Sequence, residues 1–264
     1  MQLFKQVIFD CFSRLCATLS KGVYCGDSKK NTLGEPTIQR RLVCYNDSIL
    51  SILPFVKWFL ANISITTVGN SNMTKQEFLR LAYRFPVAAA LKSDDDIQPA
   101  LDSDALLLFM LKGDAFQLAP FVTQAHRLGK GIVVHVDLVS GIGKDRAGIQ
   151  YLHQIGVDAI ITSRSQLVSA GHAEGVVTIQ RLLLVDDSAL ETGVRTIARA
   201  APDIVEVLPG IIFPEVASTL QQLLPGPFIA GGFIREATEV ARIRAAGAIL
   251  SSSSTPALWY HTPG

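Results

Sequence analysis

From Phe85 to the end, the chain repeats one pattern: a short run rich in Val, Ile and Leu, then a polar stretch with helical spacing of its apolar residues. Eight such runs fall at 87–91, 105–111, 132–139, 158–162, 176–184, 204–208, 228–230 and 248–251. Most are apolar at successive positions rather than at alternate ones, the mark of parallel strands covered on both faces. Between them the spacing predicts helices over 116–128, 145–155, 165–173, 188–200, 214–224 and 236–246. The connections after the first and last strands are shorter, with room for a brief helix over 93–101 and a turn or two over 257–260.

Local signals agree with these boundaries. Ser188 followed by Glu191 has the form of a capping box, and Gly129, Gly156 and Gly175 stand just past helix ends, where a left-handed residue is wanted. Strand and helix in strict alternation call for right-handed crossovers and a parallel sheet. Eight units point to an α/β fold, a compact TIM-like (β/α) barrel, because the region falls below the 200 or more residues usual for that fold. An open doubly wound sheet is the alternative.

The first 72 residues show no such repeat, which divides the chain into an N-terminal extension, 1–72, and a barrel, 73–264. Thr74 can cap a helix reaching Arg84 ahead of the first strand, so a chain starting at Met73 would be structurally complete. Charge makes a similar cut: residues 1–84 hold 11 Lys+Arg against 5 Asp+Glu, and residues 85–264 hold 13 against 18. All four cysteines, Cys11, Cys16, Cys25 and Cys44, precede residue 45, and their gaps lack the close pairs of a structural zinc site. The apolar stretch 49–68 is interrupted by Pro54, Lys57 and Asn62, and Asp10 and Arg14 break any secretory signal, so no membrane segment is expected. A barrel without cysteine suits the cytoplasm.

In such a barrel, chemistry gathers where the strands end. Those ends carry Lys92, His135 and Asp137, Ser163 and Arg164, Gln180 and Arg181, Glu206, the pair Gly231 and Gly232, and the run Ser251 to Ser254. Two glycines ahead of a helix let backbone amides approach a phosphate, and the serine run one unit later could add hydroxyls to the same anion. Arg164 and Arg181 could each grip a phosphate or carboxylate through a planar fork. Arg181 lies in an apolar run, so its charge needs a partner such as Glu206, and a structural ion pair is as good a reading as ligand contact. His135 should share a strand face with Asp137. No metal spacing of histidines and no nucleophile with an activating base is visible.

The strings VVHVDLVSGIGKD, DAIITSRSQLVSAGHAEGVVTIQRLLLVDDSALETG, PDIVEVLPGII and PFIAGGFIREATEV resemble the glycerol-3-phosphate-responsive antiterminators of bacterial glycerol operons, from about Phe85 to Trp259. The resemblance implies a TIM-like fold and no cofactor. It also implies glycerol 3-phosphate as effector and the leader mRNA of a glycerol operon as partner. Matched by motif, the ligand-facing positions are Asp137, Gly141, Ser163, Arg164, Gln180, Arg181, Glu206, Gly210, Gly231 and Gly232, with Ser252 and Ser253 at a serine run that departs from the family's Ser-Thr-Ser-Asn.

The barrel's acidic balance fits RNA poorly except at a local basic patch. Arg235, Arg242 and Arg244 on one helix, or Lys130, Lys144 and Arg146, are the candidates, and a homodimer would enlarge either. No aromatic single-strand platform is visible. Two rivals remain: a small barrel enzyme acting on a phosphorylated metabolite with Asp137 or Glu206 as general base, and a ligand-binding module that signals only through a protein partner.

Overall fold

The structure is a computed structural model that describes residues 73–260; the four cysteines and the 49–68 stretch lie outside the described residues. Eight parallel strands close into one barrel in sequence order: β1 Val87–Leu91, β2 Leu107–Met110, β3 Gly131–His135, β4 Ala159–Thr162, β5 Val177–Leu183, β6 Ile204–Leu208, β7 Phe228–Gly231 and β8 Leu250–Ser253. Because β8 pairs with β1, the open doubly wound sheet is excluded and no edge is left unpaired. The helices are α1 Lys75–Arg84, α2 Ile97–Asp102, α3 Ala115–Arg127, α4 Arg146–Gln154, α5 Ser165–Glu174, α6 Asp187–Ala200, α7 Phe213–Leu223 and α8 Ala237–Ala245.

Helix α1 begins as the sequence requires. Thr74 Oγ1 accepts from the Glu77 amide at 3.2 Å, and Glu77 accepts from the Thr74 amide at 2.8 Å. This reciprocal cap starts a helix whose Phe78, Leu81 and Ala82 join the apolar cluster of the barrel interior, so α1 closes the end where the strands start. At that end Asp158 accepts from the Ile132 amide and from His126, both at 2.8 Å, and Asp203 accepts from the Thr178 amide and hydroxyl. The last turn is tied in as well: the Trp259 indole donates to Ser253 O at 2.8 Å, and Trp259 O accepts from the Asp104 and Ala105 amides.

Several expected boundaries shift for identifiable reasons. Helix α6 starts one residue before Ser188, because Asp186 is the cap and its carboxylate accepts from the Ala189 amide at 2.7 Å. Strand β3 stops at His135 instead of Val139, since the Leu138 and Val139 amides both turn back to His135 O. Strand β8 begins and ends two residues later than expected, which places Ser251 to Ser253 inside the ladder rather than in a loop. The glycines after α3, α4 and α5 do adopt positive φ, +72° at Gly129, +88° at Gly156 and +72° at Gly175.

The pairings stagger by about eight residues around the barrel, as in (β/α)8 barrels generally, so inward side chains stack in layers of four from alternate strands. Leu107, Ala159, Ile204 and Leu250 form the lowest layer, with Ala88, Val133, Ile179 and Ile229 above it, all buried and apolar. Next come Phe109, Ile161, Glu206 and Ser252, then Ala90, His135, Arg181 and Gly231. The outward residues of the same strands pack against the helices in a second apolar cluster that includes Leu108, Val134, Ile160, Leu182 and Val207. The interior therefore changes from hydrocarbon to polar groups part-way up, toward the ends of the strands.

Candidate ligand site at the carboxyl ends of the strands

The upper two layers contain a charged pair in the barrel interior. Arg181 Nε donates to Glu206 Oε2 at 2.8 Å; the Glu206 side chain is 1% exposed and the Arg181 side chain 16%. Burial pushes the Glu206 carboxyl above its usual range, and the Arg181 charge and hydrogen bond oppose that shift. Gly231 is required beside this pair: a Cβ there would sit 2.7 Å from Glu206 Oε1. Gly210 is required next to it, because a Cβ there would lie 2.5 Å from the Gly231 amide nitrogen and 2.7 Å from the Ala230 carbonyl carbon. Close backbone contact thus locks the loop after β6 onto the end of β7.

A second polar group sits at the β3–β4 rim. Asp137 Oδ2 accepts from Thr162 Oγ1 at 3.0 Å and from the Ser163 amide at 2.9 Å. Arg164 Nε stands 3.1 Å from Asp137 Oδ1 as an ion pair, although the alignment is not that of a hydrogen bond and Oδ1 has no hydrogen-bond donor. Lys144 reaches across to donate to Asp137 O at 2.7 Å. A carboxylate held by a hydroxyl, an amide and a guanidinium serves to fix the Ser163–Arg164 loop.

The remaining expected positions divide by strand parity. Gln180 follows Ile179 and precedes Arg181, so it must face the helices; its amide donates to Ser165 Oγ at 3.2 Å, and its Oε1 is buried without a partner. Ser253 also faces outward, and its hydroxyl donates to Ile234 O at 2.7 Å, bracing the loop after β7. Ser252 faces the interior at 5% exposure. Gly141, at φ +75°, packs toward Ala115 in the loop after β3 and does not reach the polar layers. Gly232, at φ +88°, and Phe233, at φ +61°, carry the chain away from β7. The donors expected at the following helix are partly taken: the Arg235 and Glu236 amides both donate to Glu239 Oε2, at 2.7 and 3.0 Å.

His135 was assigned only a place beside Asp137 in the sequence, yet it lies in the layer of Arg181 and Gly231. It is 2% exposed, and neither ring nitrogen has a hydrogen-bond partner. Burial first, and the Arg181 charge second, lower its pKa to about 4, so it is neutral at physiological pH. His135 continues the inward face of Val133, but the successive apolar residues of this run hide in the sequence which face is inward.

One basic patch loses Lys130, while Lys144 and Arg146 stay exposed. Lys130 is buried and donates to Ser103 O at 2.6 Å and Ala105 O at 2.7 Å; Lys144 is bound to Asp137 O, and Arg146 pairs with Glu174 at 2.6 Å. Of the other patch, Arg235 precedes α8 instead of lying on it, Arg242 pairs with Glu215 at 3.3 Å, and all three arginines are exposed. Among the described residues no three His, Cys, Asp or Glu side chains gather as metal ligands, and no helix is long and apolar enough to cross a membrane.

Comparison with known proteins supplies the family. The model of the glycerol-3-phosphate responsive antiterminators matches residues 87–259, the whole eight-stranded barrel. The chain belongs to this antiterminator family. A solved relative, the glycerol uptake operon antiterminator regulatory protein of Listeria monocytogenes, is 34% identical with a TM-score of 0.62, over 66% of this chain and 94% of its own. A glycerol uptake operon antiterminator-related protein of Thermotoga maritima is 28% identical with a TM-score of 0.60, over 66% and 98%. The uncharacterised protein YgcP of Escherichia coli K12 is 30% identical over 182 residues, 69% of this chain and 95% of its own. The family is a regulatory one with glycerol 3-phosphate as its effector, and the matched region contains Asp137, Arg181, Glu206 and His135.

Proposed function

We propose that this antiterminator binds glycerol 3-phosphate at the carboxyl ends of its strands and, when loaded, binds the leader mRNA of a glycerol operon so that transcription passes a terminator. The observation that carries the reading is the change in the barrel interior at Glu206, Ser252, His135 and Arg181, four polar groups stacked in two layers over two purely apolar ones. A barrel built only for stability fills these layers with branched hydrocarbon. The phosphate is assigned to the loop after β7, around Gly231 and Gly232, with Arg164 facing it from the rim, while Arg181 and Ser252 face the barrel interior beneath it. Asp137, Ser163 and Gly210 position those groups, while Gly141, Gln180 and Ser253 support the loops from outside.

For the effector to act, its affinity must differ between an RNA-competent and an incompetent state, and RNA must then tighten the effector by the same factor. The RNA contact is assigned to Arg235, Arg242 and Arg244, the basic cluster that keeps all three members on the surface, with a homodimer doubling it. Residues 1–72 are read as an extension to a barrel that is complete from Met73, where α1 already closes the lower end. The site of action is the cytoplasm.

The test is retention of a glycerol-operon leader RNA by the full chain at fixed salt, with and without glycerol 3-phosphate. Effector-dependent retention is the expected result; a folded protein that retains no RNA in either condition overturns it. One observation favours an enzyme as the second reading: Glu206 is a fully buried carboxyl with a raised pKa, the property of a general base. Its contact with Arg181 argues for a structural or ligand-holding part instead, and turnover abolished in Glu206→Gln with effector affinity intact would reverse that judgement.

A further inference from the structure

Most core positions in the barrel interior explain themselves by packing, and the buried polar groups at its lower end are fully paired. Asp158 holds two donors and Asp203 holds the Thr178 amide and hydroxyl. His135 is different. A buried imidazole without partners forfeits the hydrogen bonds it made to water, a cost that a phenylalanine at the same position would avoid. Neither Nδ1 nor Nε2 has a hydrogen-bond partner, at 2% exposure.

The layer that holds His135 is also polar. Its other members are Ala90, Arg181 and Gly231, and the place of the missing Gly231 side chain is taken by Glu206 Oε1, 2.7 Å from where a Cβ would stand. Arg181 is drawn down onto Glu206 in the layer beneath. The groups that face the barrel axis around His135 are therefore a guanidinium, a carboxylate and the Ser252 hydroxyl. That set suits an uncharged polyol rather than a second anion, because the carboxylate repels anions while hydroxyls satisfy donors and acceptors alike.

We infer that His135 is the group that recognises the hydroxyl end of the ligand, one ring nitrogen donating to a hydroxyl oxygen and the other accepting a hydroxyl proton. This rests on the reading that glycerol 3-phosphate binds here, and it adds an orientation: phosphate out at the loop after β7, glycerol carbons inward along the barrel axis. The uncharged ring required for one donor and one acceptor is the form this environment favours. The same arrangement makes the site selective, since a phosphate monoester without hydroxyls would leave both nitrogens unpaired and gain nothing from them.

The experiment is calorimetric titration of the full chain and of His135→Phe with glycerol 3-phosphate and with propyl phosphate, which has the same carbon count and no hydroxyl. The wild type should prefer glycerol 3-phosphate, and His135→Phe should lose about 10- to 100-fold in affinity for it while its affinity for propyl phosphate stays within about twofold. Equal affinity of both proteins for glycerol 3-phosphate overturns the inference and leaves the effector reading intact. An equal loss for both ligands also overturns it, because His135 would then be shaping the site without reading hydroxyls. Failure of the wild type to bind either phosphate defeats this inference together with the effector reading. Nitrogen-15 NMR of the wild-type ring gives the same answer without a substitution: glycerol 3-phosphate but not propyl phosphate should shift both His135 ring nitrogens, and no shift with either saturating ligand overturns the assignment.

Discussion

The Arg181–Glu206 pair is either a staple of the barrel or a ligand-gripping device, and a double-mutant cycle separates the two. The contact is 2.8 Å long with Glu206 1% and Arg181 16% exposed, so neither charge has water to fall back on. Removing one partner of a buried pair costs about 3–5 kcal/mol, because the other is left uncompensated. The partial exposure of Arg181 puts Glu206→Gln at the lower end, about 3 kcal/mol. For a chain of this size that is a fall in Tm of roughly 6–12 °C.

Arg181→Met behaves differently. The carboxyl it strands already has a raised pKa, so it can escape by taking up a proton, and the penalty shrinks as pH falls. Replacing both, as Arg181→Met with Glu206→Met, keeps volume and removes both desolvation costs, so the double variant should return to within about 1 kcal/mol of wild type or exceed it. Urea unfolding of the full chain reads all three. If Glu206→Gln costs less than about 1 kcal/mol, or the double variant is as unstable as the worse single one, the argument from burial is wrong. Its ligand affinity decides the rest: a stable double variant that has lost glycerol 3-phosphate binding assigns Arg181 to the ligand, whereas wild-type affinity makes the pair structural.

Three further outcomes follow from the same geometry. Gly210→Ala places a Cβ against the backbone of Ala230 and Gly231, which cannot swing aside, so about 1–3 kcal/mol of stability and a measurable part of effector affinity should be lost together; an unchanged unfolding curve would refute the contact. Lys130→Met leaves Ser103 O and Ala105 O without their donor, offset by an ammonium no longer held out of water, for a net loss of about 2 kcal/mol by urea unfolding; stability equal to wild type would show that the two bonds only offset the desolvation. Two histidines should also set opposite pH dependences of stability on either side of about pH 6.5, the ordinary histidine value. Below it, unfolded His135 takes up a proton that the folded state, with a pKa of about 4, refuses, costing about 3 kcal/mol by pH 4. Above it, the stabilisation of His126 by the Asp158 hydrogen bond, which raises its pKa, is lost as the pH passes through that raised value. Unfolding across pH of His135→Phe and of His126→Asn should remove the acid and the alkaline limb respectively, and wild-type curves from both would refute the assignments.

Much of the fold was written in the hydrophobic pattern, because buried parallel strands are apolar at consecutive positions and each run is bounded by polar residues. Val87–Leu91 and Ile204–Leu208 match their runs to the residue. Errors arose where local chemistry outbid the pattern. The run to Val139 stays apolar beyond its strand because the turn after His135 buries Val136 and Val139 as well. Asp186 took the cap that Ser188 and Glu191 advertised, since an aspartate two residues earlier accepts from the Ala189 amide and starts the helix at Asp187. The supposed patch lost Lys130 because charge alone does not say that a side chain is exposed: this lysine is turned back onto two carbonyls.

The site was legible by strand and illegible by height. The two-residue period shows which residues of a run share a face, yet only the stagger between strands shows that His135 on β3, Arg181 on β5 and Gly231 on β7 share one layer, with Glu206 and Ser252 just beneath. Those residues are 46 and 50 positions apart along the chain, and nothing local relates them. Motif matching therefore gathered neighbours in sequence, such as Gln180 with Arg181 and Ser252 with Ser253, that the two-residue period sends to opposite faces. It passed over His135, whose meaning depends on what it lacks. The layer reading makes a demand that motif matching does not: of each adjacent pair, substitution of the inward member should change effector affinity and substitution of the outward member should change stability first. Arg181 and Ser252 are thus expected to act on binding, Gln180 and Ser253 on folding, and the reverse assignment would mean that the barrel interior is not where the ligand lies.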